Sequence, residues 1–192
     1  MSSTVLFVPS PQVPFNSHAY DSLAWVFWQH GYNSIPAFLN WNTTPWDWGQ
    51  QLEALYSEHD PEETILAGHW FGAMVALLGA AKRNPKALWL FSLPPFFHED
   101  LINPRPHQRI PQEIDLLVMA DPEGISFSSN APFVQCPTLL FVGSEESQAV
   151  HHRAREALRF MPNAKRIVAP GSSHIAITKP HSSYLACIDR SI

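Results

Sequence analysis

Six short apolar runs divide this chain, and between most of them apolar residues recur at helical spacing. The runs are 4–8 (TVLFV), 34–39 (SIPAFL), 64–68 (TILAG), 87–92 (ALWLFS), 137–143 (PTLLFVG) and 165–169 (KRIVA). Short β-rich runs alternating with helices are what a parallel sheet needs when both its faces are covered. The expected fold class is α/β: an open, doubly wound, mainly parallel sheet of about six strands with helices on both faces. Helix 19–30 places Leu23, Val26, Phe27 and His30 on one face, and helix 147–161 does the same with Val150, Ala154, Leu158 and Met161. Helix 44–57 starts after a Thr43 or Thr44 cap with Pro45 in its first turn. Helix 70–83 is apolar nearly all round and is expected at the centre, and a tail helix starts near Pro180. Residues 93–136 are rich in proline, which rules out one long helix, although PQEIDLLVMA can make about three turns. This stretch reads as a short cap or active-site wall within a single domain spanning 1–192.

Composition narrows the partners. In 192 residues, 45% are hydrophobic and only 15% charged, enough for one domain with a full core. The formal charge of -5 is spread along the chain without a Lys/Arg cluster, so no nucleic-acid partner is expected. The N-terminal apolar run is too short for a signal peptide or a membrane span, which gives a cytoplasmic expectation. Cys136 and Cys187 read as packed thiols rather than a disulfide or a catalytic pair.

The chemistry concentrates in ILAGHWFGAMV, residues 65–75, where a Gly-His-x-x-Gly turn joins a strand to a small-residue helix. Together with CPTLLFVGSEES and PNAKRIVAPGSSH, it resembles the α/β-hydrolase fold. In that family the three segments carry nucleophile, acid and histidine in this chain order. The resemblance spans most of residues 4–190. By position it implies Trp70 at the nucleophile site, Glu146 as the acid with Glu145 as the neighbouring alternative, and His174 as the base. An indole has a weakly acidic N–H and no nucleophilic heteroatom, so Trp70 cannot form an acyl-enzyme. The turn after the first run, VPSPQVPF, contains Pro9, Pro11 and Pro14 where an oxyanion-binding loop needs an N–H donor. Phe71, Ser10, Pro11 and Ser92 are the accompanying candidate binding positions, with Phe71 N–H as one donor and Pro11 at or beside the place of the other.

Other chemistry-bearing residues have plainer readings. His69 is expected to be a structural hydrogen-bonder beneath the turn. His151 and His152 belong to a solvated face with Arg153 and Arg155. His98, Glu99 and Asp100 lack a second histidine at ligand spacing, so no metal is expected. Ser92, Ser144, Ser172 and Ser173 lie near strand ends but not on the turn that would arm them. Trp41, Trp46 and Trp48 either pack on the sheet edge or form a wall for an apolar ligand or a partner protein. The sequence therefore points to a hydrolase-like protein without a serine nucleophile and without a cofactor, which binds a small apolar molecule or a protein partner. A non-covalent general-base enzyme using His174 and Glu146, of lyase, isomerase or cofactor-free oxygenase type, is the first alternative. A weak esterase or thioesterase is the second.

Overall fold

The computed structural model describes residues 3–13, 18–103 and 125–192. Pro14 and the PQEIDLLVMA segment of the insertion lie outside them. Six strands form one sheet: β1 (Thr4–Val8), β2 (Asn33–Pro36), β3 (Thr64–His69), β4 (Ala87–Phe91), β5 (Thr138–Gly143) and β6 (Ala164–Ala169). Their order is β2-β1-β3-β4-β5-β6 and every neighbouring pair is parallel. After β2 the chain returns to the other side of β1, so the direction of winding reverses between β1 and β3. Ligands of open α/β sheets gather in the crevice beyond the strand ends at such a point.

The helices follow from the same alternation. They are α1 (Asp21–Gln29), α2 (Pro45–Ser57), α3 (Phe71–Lys82), α4 (His98–Ile102), α5 (Phe127–Asn130), α6 (Gln148–Phe160) and α7 (Ser183–Asp189). Successive strand residues point to opposite faces. Leu6, Val8, Leu66, Leu88, Leu90 and Leu140 pack with α2, α3 and α6, whereas Val5, Phe7, Ile65, Ala67, Trp89 and Phe91 pack with α1 and α7. Burial on both faces explains why the strands read as continuous apolar runs rather than alternating ones. Helix α2 is capped by Thr44, not Thr43. Asp47 N donates to Thr44 Oγ1 at 3.3 Å and Thr44 N donates to Asp47 Oδ2 at 3.0 Å, a reciprocal cap ahead of Pro45.

Four sequence expectations are corrected. The second strand stops at Pro36 instead of running to Leu39; it is one of the sheet's two edge strands, and edge strands are where a proline is tolerated. His30 ends α1 on its exposed side and bonds Asp189 at 2.9 Å. In α6 the inward stripe is Val150, Arg153, Ala154 and Ala157, while Leu158 is exposed. Arg153 turns inward because the buried Asp100 carboxylate of α4 receives it and the rings of Phe97 and Phe127 flank its guanidinium, at 5.2 and 4.3 Å. The dense tryptophans also divide: Trp48 is buried, Trp41 partly buried against it, and Trp46 is exposed with Lys82 Nζ 5.3 Å above its ring.

Backbone contact at α3 sets the layout. A Cβ on Gly72 would lie 2.0 Å from the Val8 carbonyl oxygen, and one on Gly68 would lie 2.2 Å from the Gly72 oxygen. Only residues without side chains let the turn and the end of β1 touch. Gly72→Ala is therefore expected to destabilise by about 3 kcal/mol. Gly49, inside α2, is the opposite case, since a Cβ there would meet nothing within 4 Å; Gly49→Ala should stabilise by about 1 kcal/mol. Thermal or urea unfolding of the two variants checks both signs.

Candidate functional site

Strand β3 ends at His69, α3 begins at Phe71, and Trp70 makes the turn between them with φ 55° and ψ −116°. The expected strand-turn-helix is present, with the helix starting one residue later than 70. A positive φ is strained for a side-chain-bearing residue. It is held by Trp70 N donating to Phe91 O at 3.0 Å and by Ala73 N donating to Trp70 O at 2.9 Å. That backbone sends the indole over the ends of the strands. There it stacks on the His174 imidazole, with centroids 4.2 Å apart and planes 17° from parallel. Phe96 meets it edge-on at 5.8 Å, and Phe71 does so at 6.4 Å while stacking on Phe96 at 5.4 Å. Trp70 is 8% exposed, and its buried Nε1 has no hydrogen-bond partner among the described residues.

The structure brings His174 and Glu146 together across 28 residues of sequence. His174 Nδ1 stands 3.5 Å from Glu146 Oε2, at the outer limit of hydrogen-bond reach. The Glu146 side chain is 2% exposed and that of His174 26%. Glu145, the alternative acid, is exposed and only its backbone is engaged, donating to Ser172 O at 2.9 Å. The approach depends on Gly143, whose Cβ would fall 2.1 Å from the Ser172 oxygen. A larger residue there would push the histidine loop off the acid.

Ser92 proves to be a support for the acid rather than a ligand-facing residue. It is fully buried, has φ 56°, and its hydroxyl donates to Glu146 Oε1. Tyr184 Oη lies 2.8 Å from Ser92 Oγ and 3.0 Å from the Phe141 carbonyl, so its single proton is shared between two acceptors. Burial drives the Tyr184 hydroxyl well above its ordinary pKa, keeping it a donor. Sequence reasoning missed Tyr184, which lies 92 residues from Ser92 on a tail helix whose apolar pattern gives no sign of this contact.

His69 fills its expected structural place. Its Nε2 lies 3.2 Å from the His174 carbonyl oxygen, which can only accept, so Nε2 carries the proton. Nδ1 then accepts from Tyr20 Oη at 2.8 Å, and Tyr20 Oη in turn accepts from Ser10 N at 3.1 Å. Complete burial, with a further push from His174, lowers the His69 pKa to about 3. The ring is neutral and fixed in one tautomer. Ser10 is buried and its amide is spent on Tyr20, while Pro11, one residue on, is exposed. The N–H adjoining Pro11 is that of Ser10, and it already has an internal acceptor in Tyr20 Oη. Phe71 N–H lies in the first turn of α3, where a helix leaves its amides without intrahelical acceptors.

The remaining candidates have other work. Glu99 caps α5, accepting from Phe127 N at 3.0 Å and Ser128 N at 2.8 Å; burial opposes its ionisation, but the Ser126 and Ser128 donors prevail and lower its pKa to about 2. Asp100 holds Arg153. Ser144 Oγ accepts from Gly171 N at 2.8 Å, and Ser172 Oγ lies 2.7 Å from Ser183 Oγ. Both cysteines are buried and unbridged. Among the described residues no helix is long and apolar enough to cross a membrane.

A cleft of about 470 Å³ opens beyond the C-terminal ends of β1 and β2. It is walled by the loop at Pro9–Val13, the first two turns of α1 and the chain from Pro36 to Asn42, and Trp70, His174 and Glu146 are not among its described lining residues.

No family model and no curated protein matches the sequence. Solved structures do resemble it. Est1E from Butyrivibrio proteoclasticus superposes with a TM-score of 0.78 at 14% identity, over 99% of this chain and 85% of that one. Alpha/beta hydrolase domain-containing protein 10 from mouse gives 0.74 at 13% identity, over 98% and 87%. MGS-MChE2, an alpha/beta hydrolase enzyme from a lagoon-sediment metagenome, gives 0.71 at 14% identity, over 93% and 85%. The chain has the α/β-hydrolase fold.

Two outcomes test this geometry. At residue 70 the backbone conformation favours glycine, so Trp70→Gly should be more stable than Trp70→Ala by about 1 kcal/mol, the reverse of the usual order, in chemical denaturation. For His69 the folded pKa lies below the unfolded one, so its stabilising contribution is full above pH 6.5 and is lost as the pH falls toward 3. Between pH 6.5 and 4.5, wild-type stability should therefore fall with acid at up to about 1.4 kcal/mol per pH unit more steeply than that of His69→Gln.

Proposed function

We propose that this chain is a hydrolase-fold protein that has exchanged acyl transfer for the binding of a small, largely apolar molecule. The observation that carries the reading is the Trp70 indole stacked at 4.2 Å on His174. In an acyl-transfer site the base must face a nucleophile whose proton it removes, and a substrate carbonyl must fit between that nucleophile and its oxyanion donors. Here an indole with no atom to arm lies flat on the base. The Ser10 amide is bonded to Tyr20 instead of turned to a substrate oxygen. The cleft beside this site is of a volume and lining suited to a small ligand.

A second reading has its own support. Glu146, held by Ser92 beside His174, is the arrangement that orients an imidazole as a general base, and such chemistry does not need a nucleophile at 70. The indole covers one face of the His174 ring, while a proton is accepted in the ring plane, through Nε2, so Trp70 would act as a wall of such a site.

The unmodified protein is expected to resist a fluorophosphonate probe and to show no turnover of short p-nitrophenyl esters above a His174→Ala control. Trp70→Ser should recover only weak activity, since a missing oxyanion donor costs on the order of 10²–10³ in rate. Tyr20→Phe in that background frees the Ser10 amide and should raise the recovered rate. Strong labelling of the unmodified chain would overturn the binding reading. Tritium or deuterium exchange into a carbon acid, lost in His174→Ala, would establish the general-base reading in its place.

A further inference from the structure

The ligand class can be read from the walls of the cleft, on the premise that this protein works by binding. We propose that the cleft beyond β1 and β2 is a site for an uncharged, flat, largely apolar molecule carrying a hydroxyl or carbonyl group. Its volume of about 470 Å³ falls within the range of small-molecule sites. Tyr20, Phe38 and Trp41 bring ring surfaces to it, and Pro9, Pro11 and Pro36 add rigid apolar walls. Rings and prolines lose little conformational freedom on contact and favour stacking against a flat body.

The exposed Asn40 and Asn42 bring carboxamides to the lining, in addition to Ser34; Asn40 Oδ1 accepts from Asn42 N at 3.2 Å and keeps a second lone pair. A carboxamide both donates and accepts, so it matches a hydroxyl or carbonyl and is not biased toward either sign of charge. Among the described lining residues the one formal charge is Asp21. An anion would lie near that carboxylate without a described cation to pair it, and an unpaired charge taken from water is costly. The amino end of α1 also faces the cleft and would draw an anion, but Asp21 at its first position already supplies the negative charge. A cation loses the same hydration and recovers little of it: the Asp21 side chain is 70% exposed and bonded to His18 at 2.9 Å, so its field is screened and shared. Neutral ligands are left as the class that meets no uncompensated cost.

Three probes with one apolar body separate the charge classes: 2-naphthol, 2-naphthoate and 2-naphthylmethylammonium, titrated calorimetrically into the full chain at pH 7. The expected result is one-to-one binding of 2-naphthol at least about tenfold tighter than either charged probe. Ala24→Phe, a substitution at an exposed lining position of α1, should weaken 2-naphthol by at least about tenfold without lowering the melting temperature of the free protein. Pro11→Trp, on the exposed loop wall, carries the same expectation, so misfolding of one variant leaves the other decisive. Equal or tighter binding of a charged probe, no binding of 2-naphthol, or binding undiminished in the folded filling variants would overturn the proposal. The fluorophosphonate experiment reads a different site: failure of 2-naphthol with no labelling refutes the cleft assignment alone, and labelling with 2-naphthol still bound refutes the loss of acyl transfer alone.

Discussion

Everything at the strand ends depends on one close approach, that of the first turn of α3 to the end of β1. With 2.0 Å between a would-be Gly72 Cβ and the Val8 oxygen, the helix cannot start further away or rotate without losing that contact. The chain must then reverse within one residue, and Trp70 takes a positive φ to do it. From that backbone the side chain of residue 70 projects over the sheet toward the loop carrying His174. What the fold dictates is the place of residue 70; what the sequence chooses is its chemistry.

An indole in that place changes the energetics of the site. It buries a large ring against Phe71, Phe96 and His174, where a small side chain would leave space. Packing of this kind adds to stability and closes the space over the base. The neighbouring polar groups are arranged compatibly. His69 is neutral between Tyr20 and the His174 carbonyl, and Ser10 N–H is satisfied inside the protein. Among the described residues the buried Trp70 Nε1 finds no hydrogen-bond partner. Yet Glu146 keeps a hydroxyl donor on one oxygen and His174 near the other. Glu146 and His174 are thus held in place by the Ser92 hydroxyl, the His69 contact to the His174 carbonyl and the close approach at Gly143, with the Trp70 ring packed on the imidazole.

The cleft and the stacked indole lie on opposite sides of the His69–Tyr20 connection: Tyr20 lines the cleft, and its hydroxyl reaches the ring that bonds the His174 backbone. The winding reversal between β1 and β3 leaves a crevice at the strand ends. Because the indole fills the part next to His174, the open volume is the part next to the edge strand β2. Its walls come from loops and the start of α1 more than from the strands themselves.

Local pattern alone determined most of the framework. Continuous apolar runs mark strands buried on both faces, Thr44 with Pro45 and Asp47 marks a helix start, and two glycines around residue 70 mark a tight reversal. These signals work because burial, capping and steric clearance act over a few residues. Residues 70, 146 and 174 were singled out by resemblance to a known fold, and the structure brings them together at the strand ends. Tertiary structure decided the rest. Arg153 turned inward against a helical pattern because Asp100, 53 residues away, offers a buried charge. Ser92 was drawn under Glu146 by Tyr184, and the choice between Glu145 and Glu146 fell to which carboxylate the Gly143 contact turns inward. No periodicity encodes such pairs, because a hydrogen bond depends on positions in space that only the packed sheet and helices define.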